Sequence, residues 1–134
     1  MKALIATSLL SVSLIGCSAM PVTLETDKTY QVEWIGERPL IDNSHLTITL
    51  GADGRAYGSA GCNHWFSGYN RNGEAINFVQ AGSTRKMCPP ALMEQETRFL
   101  KALAEVQRWD FSENDQLRLW PAQGKPIRLW PVND

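Results

Sequence analysis

The residues of this chain best suited to catalysis or metal binding are its three cysteines and two histidines, namely Cys17, Cys62, Cys88, His45 and His64. A thiolate activated by an imidazole can act as a nucleophile, and the same two residue types are common ligands of zinc. However, the spacing of Cys62, His64 and Cys88 matches no structural zinc pattern, and two histidines suggest no serine-type triad. We therefore expect no metal, no cofactor and no catalytic residue.

The first residues have the pattern of a secretory signal. Met1 and Lys2 give a positive start, and an uncharged run of apolar and small residues follows from Ala3 to Ile15. At about 13 residues the run is too short for a bilayer core of about 30 Å, but it suits a signal peptide. It leads into Leu-Ile-Gly-Cys, which resembles a bacterial lipobox. The pattern predicts a lipoprotein signal peptide at residues 1–16 and lipidation of Cys17; an ordinary signal peptide with a chance cysteine is the alternative.

Lipidation would fix the location of the protein. Three acyl chains, such as palmitate, contribute about 0.8 kcal/mol per buried methylene and anchor a protein essentially permanently. Ser18 follows the cysteine, where an aspartate is the usual signal for retention in the inner membrane. We therefore expect a monomer on the inner leaflet of the outer membrane, facing the periplasm, with a tether at residues 17–27 and a folded domain at residues 28–134.

Cys62 and Cys88 then remain as an even pair in an oxidising compartment. A disulfide between them closes a loop of roughly 27 residues and stabilises the domain by about 3–4 kcal/mol on the chain-entropy model. Two buried free thiols are the alternative, since unpaired cysteine is among the most buried residue types. A catalytic thiolate is disfavoured because it has to stay reduced.

Hydrophobic periodicity predicts short strands and one helix. Leu46, Ile48 and Leu50 alternate with polar residues, which is typical of a half-buried strand, and the turn that follows predicts a hairpin. One apolar stripe at helical spacing predicts a helix at Ala91–Val106, after two prolines. All connections have hairpin length, which excludes a parallel sheet. The predicted fold is mainly β, a small antiparallel barrel-like meander of about eight strands with one α-helix packed on it.

Two segments carry a resemblance to a known family. Gly61-Cys62-Asn63 is followed by aromatic residues and Ser67-Gly68-Tyr69, and Thr84-Arg85-Lys86-Met87-Cys88-Pro89-Pro90 leads into a helix with Met93-Glu94-Gln95-Glu96 and Phe99-Leu100. Together these motifs resemble the META domain family, which includes HslJ-like bacterial lipoproteins, over about Thr29 to Trp130. The resemblance implies a small antiparallel barrel-like fold with one helix, and an association with envelope stress and drug tolerance. It implies no catalytic site.

Three polar residues near the cysteines are candidate structural groups, namely Asn63, Thr84 and Arg85. Asn63 is expected to bond local backbone. Arg85 is expected to pair with a helix acid, Glu94 or Glu96, or to hold loop carbonyls. The alternatives are a ligand role for Asn63 and capture of an anion or another ligand by Arg85.

The C-terminal strands carry the pattern most suggestive of a contact surface. Arg118 and Trp120, and then Arg128 and Trp130, alternate with apolar residues. If the apolar residues face inward, two tryptophans and two arginines point outward on adjacent strands. These residue types are enriched at recognition surfaces and form cation–π contacts. Packing of the tryptophans under the tether or a loop is the alternative.

Function is indicated by location more than by any site. A formal net charge of −1 argues against nucleic-acid binding, which needs a basic face. We expect a non-catalytic, membrane-anchored periplasmic lipoprotein in envelope homeostasis or stress tolerance, which contacts an envelope protein or a small ligand. The alternative is a lipocalin-like carrier of a small apolar ligand. Trp34, Phe66, Phe78 and Phe99 are expected to fill the interior, and a cavity above roughly 300 Å³ would favour the carrier.

Overall fold

The computed structural model describes residues 15–18 and 21–133, and the alternation of apolar residues along them produces nine strands and one helix. The strands are β1 Thr29–Ile35, β2 Arg38–Pro39, β3 Thr47–Leu50, β4 Arg55–Ser59, β5 His64–Asn72, β6 Ala75–Ser83, β7 Val106–Phe111, β8 Leu117–Pro121 and β9 Ile127–Pro131. The helix, α1, spans Pro90–Ala104 between β6 and β7.

Antiparallel pairing closes the sheet into a barrel. Strand β1 pairs with β3, each later strand pairs with the next, and β9 pairs back with β1. The two-residue β2 only folds back on the end of β1, so eight strands form the closed wall. Closure pairs the edges that an open sheet would expose. The predicted fold class, a mainly β antiparallel barrel with one helix, is confirmed.

Side chains of the inner face fill the barrel. Trp65 of β5 is 1% exposed and Phe99 of the helix is fully buried. Their ring centroids lie 5.5 Å apart in an edge-on arrangement, which is a favoured geometry for aromatic pairs. The inward-facing residues of β3, β8 and β9 include Ile48, Leu50, Leu117, Leu119, Ile127 and Leu129, each at most 2% exposed. The apolar residues of the C-terminal strands therefore face inward.

Phe66 lies outside the barrel, so its expected place in the interior is wrong. It is 54% exposed, whereas Phe78 is buried as expected. Phe66 directly follows Trp65 on β5, and successive strand residues point to opposite faces. Only one of the two rings can therefore face inward, and the larger indole does.

Trp34 also lies on the outer face, although the alternation along β1 predicts an inward position. Tyr30 and Val32 are buried, and the next buried residue is Ile35. The pairing of β1 with β9 shifts in register between Val32 and Trp34. Because the extra residue of a bulge shifts the alternation by one, the bulge places this indole ring on the outer surface of the barrel.

Gly58 of β4 allows a close approach between the strands on either side of it. A methyl group at this position would collide with the backbone carbonyl of Thr47 on β3. That carbonyl accepts a hydrogen bond of 2.8 Å from the indole nitrogen of Trp65, which is the residue of β5 paired with Gly58. The missing side chain therefore lets Trp65 reach across β4 and satisfy its buried N–H.

Helix α1 covers the end of the barrel at which β6 ends and β7 begins. Pro90 lies in its first turn, where a missing N–H costs nothing. Its buried side consists of Gln95, Glu96, Phe99 and Leu103. Gln95 is tolerated there because its Oε1 accepts a hydrogen bond of 2.8 Å from the backbone of Ile41 and its Nε2 donates to Ser44 at 3.0 Å.

The segment that precedes β1 closes the opposite end. Leu24 is 4% exposed and belongs to the core. Its carbonyl accepts a hydrogen bond of 2.8 Å from Arg71 at the end of β5, and the backbone of Asp27 donates to Leu50 at the end of β3. Packing on the barrel therefore begins at Leu24, within the segment predicted as a tether at residues 17–27.

Candidate functional site

Cys62 and Cys88 form a disulfide with a Cα–Cα distance of 6.3 Å, which is within the usual range for this bond. Cys62 lies in the connection between β4 and β5, and Cys88 precedes the two prolines that begin α1. The bond therefore fastens the helix to the barrel wall. A sulfur held in a disulfide is not a thiolate, which is the form in which cysteine acts as a nucleophile or metal ligand.

Asn63 connects three parts of the chain beside this disulfide. It is 1% exposed, and its Nδ2 donates to both carboxylate oxygens of Glu96 in α1, at 3.3 and 3.0 Å. Its Oδ1 accepts hydrogen bonds from the backbone N–H of Lys86 at 2.7 Å and from the hydroxyl of Thr84 at 3.2 Å. The Thr84 hydroxyl in turn accepts from the backbone of His64 at 3.1 Å. The amide therefore bonds distant parts of the chain rather than the local backbone expected from the sequence.

Arg85 is exposed and is not paired with a helix acid, contrary to the interpretation of the sequence. In the described part of the chain, Glu94 instead contacts Arg38 at 3.3 Å and Arg98 at 3.5 Å. Glu96 is turned toward the core. Glu94 is therefore paired with other arginines and Glu96 faces the core, whereas Arg85 extends into solvent.

A cluster of polar contacts lies on the outer face of β7 and β8. Arg118 donates to both carboxylate oxygens of Asp110, at 2.7 and 2.8 Å. The indole nitrogen of Trp120 donates to the same carboxylate at 2.8 Å. The guanidinium carbons of Arg108 and Arg118 lie 4.7 and 5.2 Å from the centroid of the Trp120 ring. These contacts fix the side chains of Arg118 and Trp120, since bidentate pairs are geometrically specific.

The ionisation of Asp110 is set by the same neighbours. Burial alone would raise the pKa of this carboxyl, but hydrogen bonds from Arg118 and Trp120 and the charges of Arg118 and Arg108 outweigh it and lower the pKa below its ordinary value. Asp110 is therefore ionised at neutral pH and offsets the charge of Arg118.

Arg128 of β9 lies over the ring of Trp34 of β1. Its guanidinium carbon is 4.5 Å from the ring centroid, and the two residues are paired in the sheet. A guanidinium stacked in this way keeps its N–H groups at the edge of the stack, where they remain available for hydrogen bonds.

Trp130 belongs to a different group of contacts. Its indole nitrogen donates to Glu33 at 3.0 Å, and Gln116 donates to the same oxygen at 2.7 Å. It borders a groove between β1, β9 and the segment at residues 39–44. The four residues predicted as one contact surface are therefore divided, with Trp130 apart from the other three.

The outward-facing residues of β1, β8 and β9 enclose an open cleft of about 440 Å³, a size typical of small-molecule sites. We call it the Trp34–Arg128 cleft, and its lining residues are Trp34, Gly36, Glu37, Arg118, Trp120, Lys125, Pro126 and Arg128. Sequence reasoning found Arg118, Trp120 and Arg128 from their alternation. It missed Trp34, which only the bulge turns outward, and Lys125, which lies in a connection without periodicity.

Cys17 is exposed and free, and it lies in the described stretch at residues 15–18. Positions 1–14 of the predicted signal peptide lie outside the described residues. Within residues 15–18 and 21–133, no helix is long and apolar enough to cross a membrane. Over these same two ranges, no group of three or more His, Cys, Asp or Glu side chains is placed to hold a metal ion.

The barrel, the helix and the motifs around the disulfide agree with one family. A family model of the META domain matches residues 22–134. The chain belongs to the META domain family. The match begins close to Leu24, where packing of this META domain also begins. A search of curated proteins finds no match.

Two solved structures share the fold of this META domain. A protein from Burkholderia xenovorans, solved by NMR, is 19% identical, and the alignment covers 93% of this chain and 100% of that one with a TM-score of 0.67. A second protein solved by NMR is 23% identical, with 76% and 86% of the two chains covered and a TM-score of 0.58. At these identities the likeness shows the fold alone.

Proposed function

We propose that this META-domain protein is a membrane-anchored periplasmic lipoprotein that acts without catalysis, in envelope homeostasis or stress tolerance. It would act by contacting an envelope protein or a small ligand. The observation that carries the proposal is the exposed Cys17, which is the last residue of a lipobox-like tetrapeptide and precedes Leu24, where packing on the barrel begins. Ser18 stands where an aspartate would be the usual signal for retention in the inner membrane, which favours the outer membrane.

The geometry of the N-terminal segment supports this anchor. Leu24 is attached to the end of the barrel opposite α1. The segment from Cys17 to Leu24 spans at most about 25 Å when extended. Acyl chains on Cys17 would therefore hold that end of the barrel near the membrane. The Trp34–Arg128 cleft, which includes Gly36 and Lys125 near the helix end, would face the aqueous compartment.

The disulfide and the histidines support a periplasmic location and a mode of action without catalysis. A disulfide between Cys62 and Cys88 suits an oxidising compartment, since such bonds are rare in the cytosol. His64 and His45 are both exposed. A Cys–His nucleophile is disfavoured, because the sulfur nearest to His64 in the chain is already oxidised.

The carrier hypothesis gains no support from the interior of the barrel. Trp65, Leu46 and Phe99 are at most 1% exposed and occupy its centre, whereas a lipocalin-like carrier needs an enclosed apolar space. The 660 Å³ groove bordered by Trp34 and Trp130 opens on the outer face of β1 and β9. We therefore retain contact through the outer surface as the proposed mode of action.

Fractionation of a Gram-negative host that produces the full chain tests the anchor. The wild-type protein is expected in the membrane pellet at the density of outer membrane, and Cys17→Ser is expected in the soluble fraction or as an uncleaved precursor. Cys17→Ser is a matched variant because it removes only the acylated sulfur. Ser18→Asp is expected to shift the protein to inner-membrane density. Wild type and Cys17→Ser found together in the soluble fraction would overturn the proposal.

A further inference from the structure

The Trp34–Arg128 cleft contains hydrogen-bond donors for which the described residues supply no acceptor. Arg128 is half-buried, and in the described part of the chain no carboxylate lies within 4.0 Å of its nitrogens. Arg118, on the neighbouring strand, is by contrast held bidentately by Asp110. Among the described residues, the one buried side-chain nitrogen or oxygen without a partner is Nε of Arg98, so the nitrogens of Arg128 reach solvent and are accessible to a ligand. The N–H groups of Arg128 are therefore free to donate hydrogen bonds to an anionic ligand.

The indole of Trp34 supplies a second unused donor. The other four tryptophans donate their N–H groups to protein oxygens; they are Trp65, Trp109, Trp120 and Trp130. Among the described residues, no acceptor is found for the indole nitrogen of Trp34. This nitrogen is not among the buried atoms without a partner, so it too is accessible from solvent. Trp34 and Arg128 are paired and stacked, so both unused donors lie together.

The charge of the cleft favours an anion. Asp110 offsets the charge of Arg118, which leaves Arg128 and the exposed Lys125 as cations against the single acid Glu37. The side chains of Trp34, Trp120 and Pro126 add apolar surface to the lining of the cleft. Such a combination of an oriented fork of N–H groups, an ammonium and apolar walls suits an oxyanion that carries an apolar or planar substituent.

We propose that the Trp34–Arg128 cleft is a binding site for a small organic oxyanion, a carboxylate or phosphate group attached to an apolar or planar moiety. The oxyanion accepts hydrogen bonds from Arg128 and from the indole of Trp34, Lys125 adds charge, and the substituent packs against the indole of Trp120. This inference deepens the proposed function, because it names the ligand class of a contact surface on the anchored protein.

Titration of the indole N–H signals by NMR tests this site. The protein is purified with its native N-terminus in a non-ionic detergent and labelled with ¹⁵N, and the signals are assigned by single Trp→Phe variants. The probes are benzoate, phenyl phosphate and the neutral isostere benzamide, each up to about 20 mM, which covers dissociation constants near 1 mM. Benzoate or phenyl phosphate is expected to shift the Trp34 and Trp120 signals saturably, while the buried Trp65 signal stays in place. Which of the two binds more tightly distinguishes a carboxylate from a phosphate ligand.

Arg128→Ala is expected to weaken this binding at least about tenfold, because a hydrogen bond to a charged group contributes that much. Arg55→Ala is the matched control, since it removes the same charge from β4, outside the cleft. Arg128→Lys retains the charge without the fork and is expected to recover part of the affinity. The inference is overturned if neither anion binds, if benzamide binds as well as benzoate, or if Arg128→Ala and Arg55→Ala bind alike. Failure of the membrane-anchor test leaves this titration unaffected, so the two proposals can fail separately.

Discussion

Asn63 donates its side-chain amide to both carboxylate oxygens of Glu96, and this contact joins the barrel wall to the buried side of helix α1. The two distances are 3.3 and 3.0 Å, and the residues are 1% and 5% exposed. A buried carboxylate depends on its donor, because an uncompensated charge in the interior is strongly destabilising. The position of the helix therefore depends on Asn63 as well as on the disulfide.

Removal of this amide is expected to destabilise the fold. Asn63→Ala leaves the Glu96 carboxylate without its donor, and we expect the free energy of unfolding to fall by about 2–4 kcal/mol. Urea denaturation followed by tryptophan fluorescence measures the loss. Asn70→Ala, at an exposed position of β5, serves as the control and is expected to stay within about 0.5 kcal/mol of wild type. Equal losses in the two variants would contradict the assigned contact.

Loss of the disulfide is expected to weaken the fold without changing it. The Cys62→Ser/Cys88→Ser double variant opens a loop with a sequence separation of 26, which corresponds to about 3–4 kcal/mol on the chain-entropy model. Urea denaturation with and without a reductant provides the measurement. Wild type should fall to the stability of the double variant when reduced, and the double variant should not respond. A reductant effect of similar size in both proteins would show that another thiol is responsible.

Strict alternation made much of the barrel predictable. The pattern of Leu117, Leu119, Ile127 and Leu129 predicts two inward faces, and the structure buries all four. The same rule fails at Trp34, because a bulge adds one residue to the count and single-sequence patterns do not show where bulges occur. Phe66 could have been placed correctly, since two adjacent strand residues cannot both face inward.

Gly58 is expected to tolerate no side chain. Gly58→Ala would push a methyl group into the Thr47 carbonyl and against the hydrogen bond from Trp65, so we expect a loss of about 3 kcal/mol or more. The free energy of unfolding in urea reports the effect. Gly68→Ala is the control, because its methyl would approach the Val79 side chain at 3.0 Å and the Val79 carbonyl at 3.9 Å, a milder conflict than the backbone collision at Gly58. A milder effect at Gly58 than at Gly68 would contradict the proposed close approach.

The ion pair of Asp110 is expected to make stability depend on pH at the acidic end. Its pKa is lowered in the folded state, so its contribution is complete above the unfolded-state pKa of about 3.9 and is lost as pH falls through the lower folded value. At pH 7 we expect Asp110→Asn to cost about 1–2 kcal/mol, discounted for partial solvent exposure. Below about pH 4 the gap between variant and wild type should narrow, because wild-type Asp110 then becomes protonated.

Denaturation curves at a series of pH values measure this gap. Asp42→Asn is the control, since Asp42 is exposed and its substitution removes an equal charge from another part of the surface. A gap between wild type and Asp110→Asn that stays constant from pH 7 to below pH 4, or widens as pH falls, would refute the assignment.

The candidate site was less predictable than the fold, for physical reasons. Arginine and tryptophan at alternate positions indicate an outward surface, which located Arg118, Trp120 and Arg128. Which donors of that surface are free depends on contacts across strands, such as the pair of Asp110 with Arg118, and a single sequence does not reveal them. The burial of Gln95 and Glu96 was not predicted for a related reason: it depends on hydrogen-bond partners elsewhere in the chain.

The most direct test of the lipoprotein proposal is the intact mass of the mature protein purified from membranes, together with the mass of its N-terminal peptide. We expect a chain that begins at Cys17 and carries the added mass of a thioether-linked diacylglyceryl group and an amide-linked acyl chain. The same preparation from Cys17→Ser should lack this mass. A mature chain that begins elsewhere, or that begins at Cys17 with an unmodified thiol, would contradict the account.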